Sequence, residues 1–431
     1  MSVPTHRTTE RTSGEASPEP DSGRGRMFRS LRERNYRYYA AGQVVSLTGT
    51  WMQRAAQDWL VLELSGGSPA ALGVAVALQF LPTMLFTLYA GVTADRFDKR
   101  RLLVVVQAGM GLCGLALGAL DVGGLVELWQ VYLLALVLGC FAAFDAPVRQ
   151  SFVVEMVGPA QLPNAVALNS MTFNLARIVG PAVAGVLITV IGTGPVFLLN
   201  GLSSAAVVLG LVLMDPRRLY RSAAPAQGRG RLREGLGYVS ARPELVVVLV
   251  LVFCVSTFGM NFENAFAVVA RNVFHRDAAG YGLLITALAV GTLTGAALAA
   301  RRAGGRPRLR LVFGGAAAFG VLEALASQMP TYRSFAVALV PVGIAVMTCT
   351  TAANATVQLS VDPAVRGRVM GLYMMLFLGG RPIGGLLSGW LAEIFDGRAP
   401  LLVGGLGVLS ASALGAMVLL RRNHGLPKRA G

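Results

Sequence analysis

The chain has 431 residues, 54% of them hydrophobic and 14% charged, with a mean hydropathy of +0.59 and a formal net charge of +16. So few charges cannot coat a soluble globule of this size, which points to an integral protein of the lipid bilayer. The positive balance does not indicate a nucleic-acid partner, because the basic residues stand in short clusters between apolar runs, without a groove-sized patch or interleaved aromatics.

Residues 1–27 are rich in Ser, Thr, Pro, Glu, Arg and Gly and lack an apolar h-region, so a disordered tail is expected there and not a signal peptide. RMFRSLRERNYR follows as a basic lead-in suited to an anionic membrane surface. Twelve segments then reach the ~20 residues that a hydrocarbon core demands. They fall at about 36–62, 69–94, 101–121, 127–149, 165–191, 194–214, 243–270, 280–300, 308–328, 333–357, 368–394 and 399–420. The polar, Arg-rich stretch 215–242 reads as a linker between a six-helix half over 28–214 and a second over 243–420, with a short tail at 421–431. The expected fold class is an all-α membrane protein of two pseudo-symmetric six-helix halves. Most of the 38 Lys and Arg residues fall on the tails, the linker and alternate loops, which places both termini in the cytoplasm.

The halves are related by a visible duplication. RIVGPAVAG, from Arg177 to Gly185, returns as RPIGGLLSG, from Arg381 to Gly389, so that Arg177, Gly180 and Gly185 recur as Arg381, Gly384 and Gly389 at a constant offset of 204. An Arg inside an apolar helix costs roughly 2.5 to 3.5 kcal/mol on insertion scales, so both should face the bundle interior or a water-filled cavity. The small residues beside them, with Pro181, suit a close helix crossing.

The loop after the second span reads GVTADRFDKRRLL, with Gly91, Asp95, Arg96, Lys99 and Arg100 in one tight connection. Positive-inside topology explains the bases but not the acid. Asp95 would favour a buried Arg or a helix N-terminus, a pairing that one conformation makes and another breaks. In FDAPVRQ, Asp145 and Arg149 are i, i+4 on the fourth span, where they form a static pair or exchange partners with the 95–101 loop as a gate opens.

Here the chain resembles the major facilitator superfamily. Gly91, Asp95, Arg96, Lys99 and Arg100 match its G-x-x-x-D-R-x-x-[RK]-[RK] loop between spans two and three. Gly180, Pro181 and Gly185 resemble its span-five antiporter motif, with Ala184 in place of the first Gly of the final pair. FDAPVRQ, LPNAVALNS and FNLARIVGPA resemble the branch of enterobactin exporters and transmembrane secretion effectors. The resemblance implies that fold, an inner-membrane location, and proton-driven export of hydrophobic drugs, siderophores or secondary metabolites by a monomer.

The cavity between the halves should carry the coupling. Span one holds Gln53, Arg54, Gln57 and Asp58 as a polar stripe, Arg54 roughly 8 Å and Asp58 roughly 13 Å outward of its middle, so that Asp58 reaches the interface. Span seven holds Asn261, Glu263 and Asn264 at similar depth, as a site at a repeat interface would. Glu263 is the best single candidate for a proton carrier, its alternative being a structural salt bridge to Arg54, while Glu323 on span nine is a further intramembrane acid. Apolar residues dominate the spans, which suits bulky amphipathic cargo.

No phosphate-binding loop is possible, since the only lysines are Lys99 and Lys428 and neither follows a glycine. The three histidines, His6, His275 and His424, fall in loops or tails, and no HExxH or G-x-S-x-G stretch occurs, so neither an enzyme nor a metal site nor a cofactor other than the proton gradient is expected. The alternatives are a facilitator or importer of the same fold and, more remotely, a non-transporting membrane scaffold or receptor.

Overall fold

The computed structural model describes residues 29–220, 231–301 and 309–425. The expected N-terminal tail, the end of the C-terminal tail, part of the linker and the connection after the eighth span lie outside the described residues, while 421–425 of the expected C-terminal tail are helical. Ten of the helices are apolar and long enough to cross a bilayer. One of these, Leu128–Ile191, is broken at Gly158, whose φ of +70° suits glycine, with Pro159 opening the next helix. Arg34–Leu64 lies packed among the ten but is more polar, which completes twelve spans.

We label them α1 (Arg34–Leu64), α2 (Pro69–Arg96), α3 (Lys99–Val122), α4 (128–157), α5 (159–191), α6 (Thr193–Val212), α7 (Pro243–Val273), α8 (Ala278–Arg301), α9 (Leu309–Ser327), α10 (Tyr332–Ser360), α11 (Pro363–Ile394) and α12 (Ala399–Gly425). Local chemistry sets several starts. Ser68 caps α2 by accepting from Ala71 N (3.3 Å) with Pro69 following, Asp98 caps α3 through Arg101 N (2.9 Å), and reciprocal capping boxes open α4 and α10. α4 and α5 meet at Gly158, well beyond the ends expected at residues 149 and 165, because the polar 150–164 stretch remains helical past the apolar run. The linker also contains a helix, Arg231–Ser240, tied to the start of α11 by an Arg368–Glu234 ion pair and by Tyr238 Oη donating to Asp362 (3.0 Å).

Within one half α6 packs on α1 and α3, and α2 packs on α4; within the other α8 packs on α10, and α9 on α10 and α12. The halves meet through α2 with α11 and α5 with α8. Every span leaves large apolar side chains exposed, among them Leu133, Val186, Leu202, Val337 and Leu414, as contact with lipid tails requires.

Among the described residues the hydrogen bonds between the halves cluster at one end. There Glu393 accepts from Ser68 Oγ (3.0 Å) and Ala70 N (3.2 Å), Asn272 Nδ2 donates to Gly67 O (2.9 Å), and Tyr281 Oη donates to Asp58 (2.8 Å). At the end that carries the α2–α3 loop, a Cβ built on Gly367 or Gly371 of α11 meets nothing within 4 Å, and Tyr89 of α2 is 73% exposed. α2 and α11 therefore touch at Gly73 and Gly389 and part towards the loop. Among the described residues the close contacts between the halves thus lie at one end, and α2 and α11 draw apart at the other.

Candidate functional site

The repeated motif occupies two equivalent positions. A methyl group on Gly180 would lie 2.5 Å from Trp51 Cβ and 3.0 Å from Thr48 O on α1, and one on Gly384 would overlap Thr257 O and Asn261 Nδ2 on α7. A methyl group on Gly185 would lie 2.6 Å from Ala278 O on α8, and one on Gly389 would lie 2.6 Å from Pro69 O on α2. The first glycine thus closes a crossing within a half, and the second closes a crossing between halves. Pro181 takes part in the latter, since its carbonyl abuts Gly282 of α8. Nothing bulkier than hydrogen lets these backbones approach.

One turn before each first glycine stand Arg177 and Arg381. Both line a small void between the halves together with Glu263, Met260, Phe262 and Phe266. Two aromatic rings link them to Arg54. Trp51 takes the guanidinium of Arg54 at 4.8 Å and that of Arg177 at 5.9 Å, while Phe80 takes Arg54 at 5.7 Å and Arg381 at 5.0 Å. The order Arg177, Trp51, Arg54, Phe80, Arg381 spans both halves, each contact contributing about 0.5 to 2 kcal/mol according to its desolvation. Trp51 could have been found three residues before Arg54 on one helical face. Phe80, on another helix, carries no signal in its own sequence.

Glu263 acts electrostatically on Arg177, Arg381 and Asp58. Among the described residues no ion pair joins it to Arg54. Asp58 is 5% exposed, because α8 lies over it and Tyr281 donates to its carboxylate while stacking on Trp59. The two glutamines of α1 turn away from the void. Gln53 accepts from Asn200 Nδ2 on α6, and Gln57 donates to Gln79 Oε1 (3.3 Å) on α2, so the expected stripe divides among neighbouring helices.

α7 loses its α-helical ladder in a π-turn over Val255–Gly259 and leaves the helix at Met260 and Asn261. Asn261 Nδ2 donates to Thr257 O (2.9 Å), satisfying a carbonyl the break has freed, so it is not available to Glu263. Asn264 is buried with Nδ2 unpartnered. Glu323 is 3% exposed and sits near Gly404 of α12, inside its own half and apart from the void.

At the loop end the side chains of Gly91 and Asp95 lie outside the described residues. Arg96 closes α2 and is exposed. Lys99 Nζ pairs with Glu155 Oε1 on α4 at 2.5 Å, and Arg100 donates to Leu211 O (2.6 Å) and Val212 O (2.8 Å), capping the free carbonyls of α6. Asp145 pairs with Arg149; Gln107 Nε2 donates to Asp145 (2.7 Å), and Arg149 donates to Gln43 Oε1 (3.0 Å). In this conformation that pair is knit into α1, α3 and α4.

The family model described as transmembrane secretion effector matches residues 26–428. The multidrug efflux pump Tap of Mycobacterium tuberculosis is 28% identical over 368 residues, covering 82% of this chain and 84% of that protein. The enterobactin exporter EntS of Escherichia coli is 26% identical over 361 residues, again covering 82% and 84%. Against two further curated relatives the chain spans only 62% and 64% of their length. A bacterial homologue of the iron transporter ferroportin, solved in an inward-facing state, has the same fold, with a TM-score of 0.71 at 15% identity over 89% of this chain and 98% of that one. A family match spanning nearly the whole chain and the shared twelve-helix bundle together establish that this protein belongs to the transmembrane secretion effectors of the major facilitator superfamily.

Proposed function

We propose that the protein is a secondary transporter that exports small amphipathic molecules across a bacterial inner membrane by rocking its halves about the void between them. The observation that carries this reading is the charged void between the halves, with the close glycine crossings at one end of the seam and α2 and α11 drawn apart at the other. Charges at hydrocarbon depth are too costly to serve packing alone, and a scaffold or receptor would have no need of them. The export direction is taken from the relatives, Tap and EntS, whose names describe an efflux pump and an exporter.

The finer reading is that both termini are cytoplasmic, as the Lys and Arg distribution favours, so this conformation faces inward. The protein works as a monomer without a cofactor, and protons drive it. Glu263 is the proton carrier we favour, because it alone among the carboxylates lines the void beside Arg177 and Arg381. Protonation would loosen its hold on both guanidiniums and so bias the rocking.

The test is transport in proteoliposomes with and without an imposed ΔpH. Glu263→Gln should still exchange substrate down its gradient but lose uphill export. Equal accumulation by variant and wild type would move the carrier elsewhere, with Asp58 next. Movement of substrate that never responds to ΔpH in wild type would favour a facilitator.

A further inference from the structure

Arg177 and Arg381 line one void, and Arg54 joins them through Trp51 and Phe80; among the described residues two carboxylates, Glu263 and Asp58, stand near the three. Arg54, Arg177 and Arg381 each lie beside Trp51 or Phe80. A guanidinium held over a ring still has N–H groups in its own plane for hydrogen bonding. Among the described residues none of the three joins an ion pair, and Arg381 Nε is buried without a partner. Glu263 influences Arg177 and Arg381 from beyond ion-pair distance, and Asp58 is engaged by Tyr281.

The charge balance holds whatever protons the acids carry. With both carboxylates ionised the group is still positive, and each proton taken up makes it more so. Guanidiniums in a low-dielectric site without a close counter-charge are poorly stabilised, and such a site attracts a mobile anion. The rings supply the second element of recognition, since Trp51 and Phe80 on one side and Phe262 and Phe266 on the other present apolar surface to whatever the arginines hold.

We infer that the cargo is an organic anion, a planar or aromatic body bearing at least one carboxylate or comparable oxyanion, held by the N–H groups of Arg54, Arg177 and Arg381 with its body against the rings. This rests on the void being the transport path. It excludes cationic amphiphiles as preferred cargo, because a cation would enter a site of its own sign.

The test uses the full-length protein in lipid nanodiscs and three probes sharing one skeleton: 1-naphthylacetate, 1-naphthylacetamide and 1-naphthylethylammonium. Isothermal titration, corrected with empty nanodiscs, should show the acid binding at least ~10-fold more tightly than the amide, as charge-assisted hydrogen bonds imply. The ammonium should bind weakest. In Arg54→Gln and Arg381→Gln the advantage of the acid over the amide should shrink about tenfold while amide binding holds. The wild-type ranking needs no variant, so a misfolded one does not hide the result. An amide or ammonium bound as tightly as the acid, or no binding by any of the three up to their solubility, overturns the inference. If the acid binds preferentially but is not moved in proteoliposomes, the transport reading fails and with it the anion as cargo, while the arginine site for the anion stands. If the ammonium probe is the one accumulated, this inference fails and transport stands.

Discussion

Gly180 and Gly384 do the same work in the two halves, each letting its helix press on the first helix of that half, but the helices they press on differ. α1 runs unbroken through Arg54 to Leu64, whereas α7 opens into a π-turn and stops at Met260 and Asn261 before resuming at Phe262. The polar content differs too. α4 carries Asp145 and Arg149, and at the same offset of 204 α10 carries Cys349 and Ala353, both buried. Close backbone crossings admit little besides glycine, so both copies of the motif have it. Charge is not so constrained, and the first half uses it as a lock among α1, α3 and α4 where the second uses apolar packing. The broken α7, by contrast, gives the second half an irregular turn beside the void.

The largest expected effect breaks that lock. Removing one partner of a buried ion pair costs about 3–5 kcal/mol, because the other charge is left uncompensated. Arg149→Ala or Asp145→Ala should therefore lower thermal stability sharply in detergent. Installing the pattern of α10, Asp145→Cys with Arg149→Ala, should recover much of the loss. The remainder, about 1–3 kcal/mol, belongs to the orphaned amides of Gln43 and Gln107. If the double variant is no better than the singles, the two halves are not interchangeable in this respect.

Next in size are the crossings. Gly384→Ala forces a methyl group onto Asn261 and the Thr257 carbonyl, and Gly180→Ala forces one onto Trp51 and the Thr48 carbonyl. Overpacking of this kind costs about 1–3 kcal/mol. The Gly384 variant should be the less stable, because its methyl group overlaps a backbone carbonyl and also displaces the amide that satisfies the α7 break. Equal melting temperatures would mean that the break yields as readily as a continuous helix.

How much of this was legible in the sequence depends on whether one helix sufficed to express it. The twelve spans, the duplication and the interior placement of Arg177 and Arg381 follow from residue type and period along single helices. The partners do not. Gln53 and Asp58 lie on one short stretch of α1, yet one meets Asn200 and the other Tyr281, because helix neighbours and not helix faces decide. Asn261 stood beside Glu263 in the expected site, but its Nδ2 is taken by the α7 break, which the sequence marks only with Gly259, a residue type that the unbroken spans also carry. Phe80 meets Arg54 and Arg381 only through the packing of α2 between the halves.

A smaller effect tests the seam. Tyr281 donates to Asp58 across the halves only while that end is shut, so Tyr281→Phe should cost the shut state about 1 kcal/mol, roughly a fivefold shift in its population. Spin labels at the exposed positions Leu125 and Phe395, one in each half at that end, would report the longer distance more often. An unchanged distance distribution would mean that Gly185 and Gly389 hold the seam by themselves.

The smallest effect concerns the second ion pair of α4. Lys99–Glu155 and Asp145–Arg149 both tie α4 to the first half, and their cations are alike in side-chain exposure at 17% and 18%, but Glu155 keeps 15% at the loop end while Asp145 keeps 6%. Water at that end screens the pair and also solvates whichever partner is left behind, so each single truncation should be cheap. A double-mutant cycle with Lys99→Met and Glu155→Gln should give a coupling of about 0.2–1 kcal/mol that falls as salt is raised through the range where the Debye length drops below ~10 Å. The same cycle on Asp145 and Arg149 should give a coupling several times larger that salt barely touches. If the Lys99–Glu155 coupling is as large and as indifferent to salt, then the loop end of α4 is as dry as its middle, and the distinction between a wet tie and a buried lock disappears.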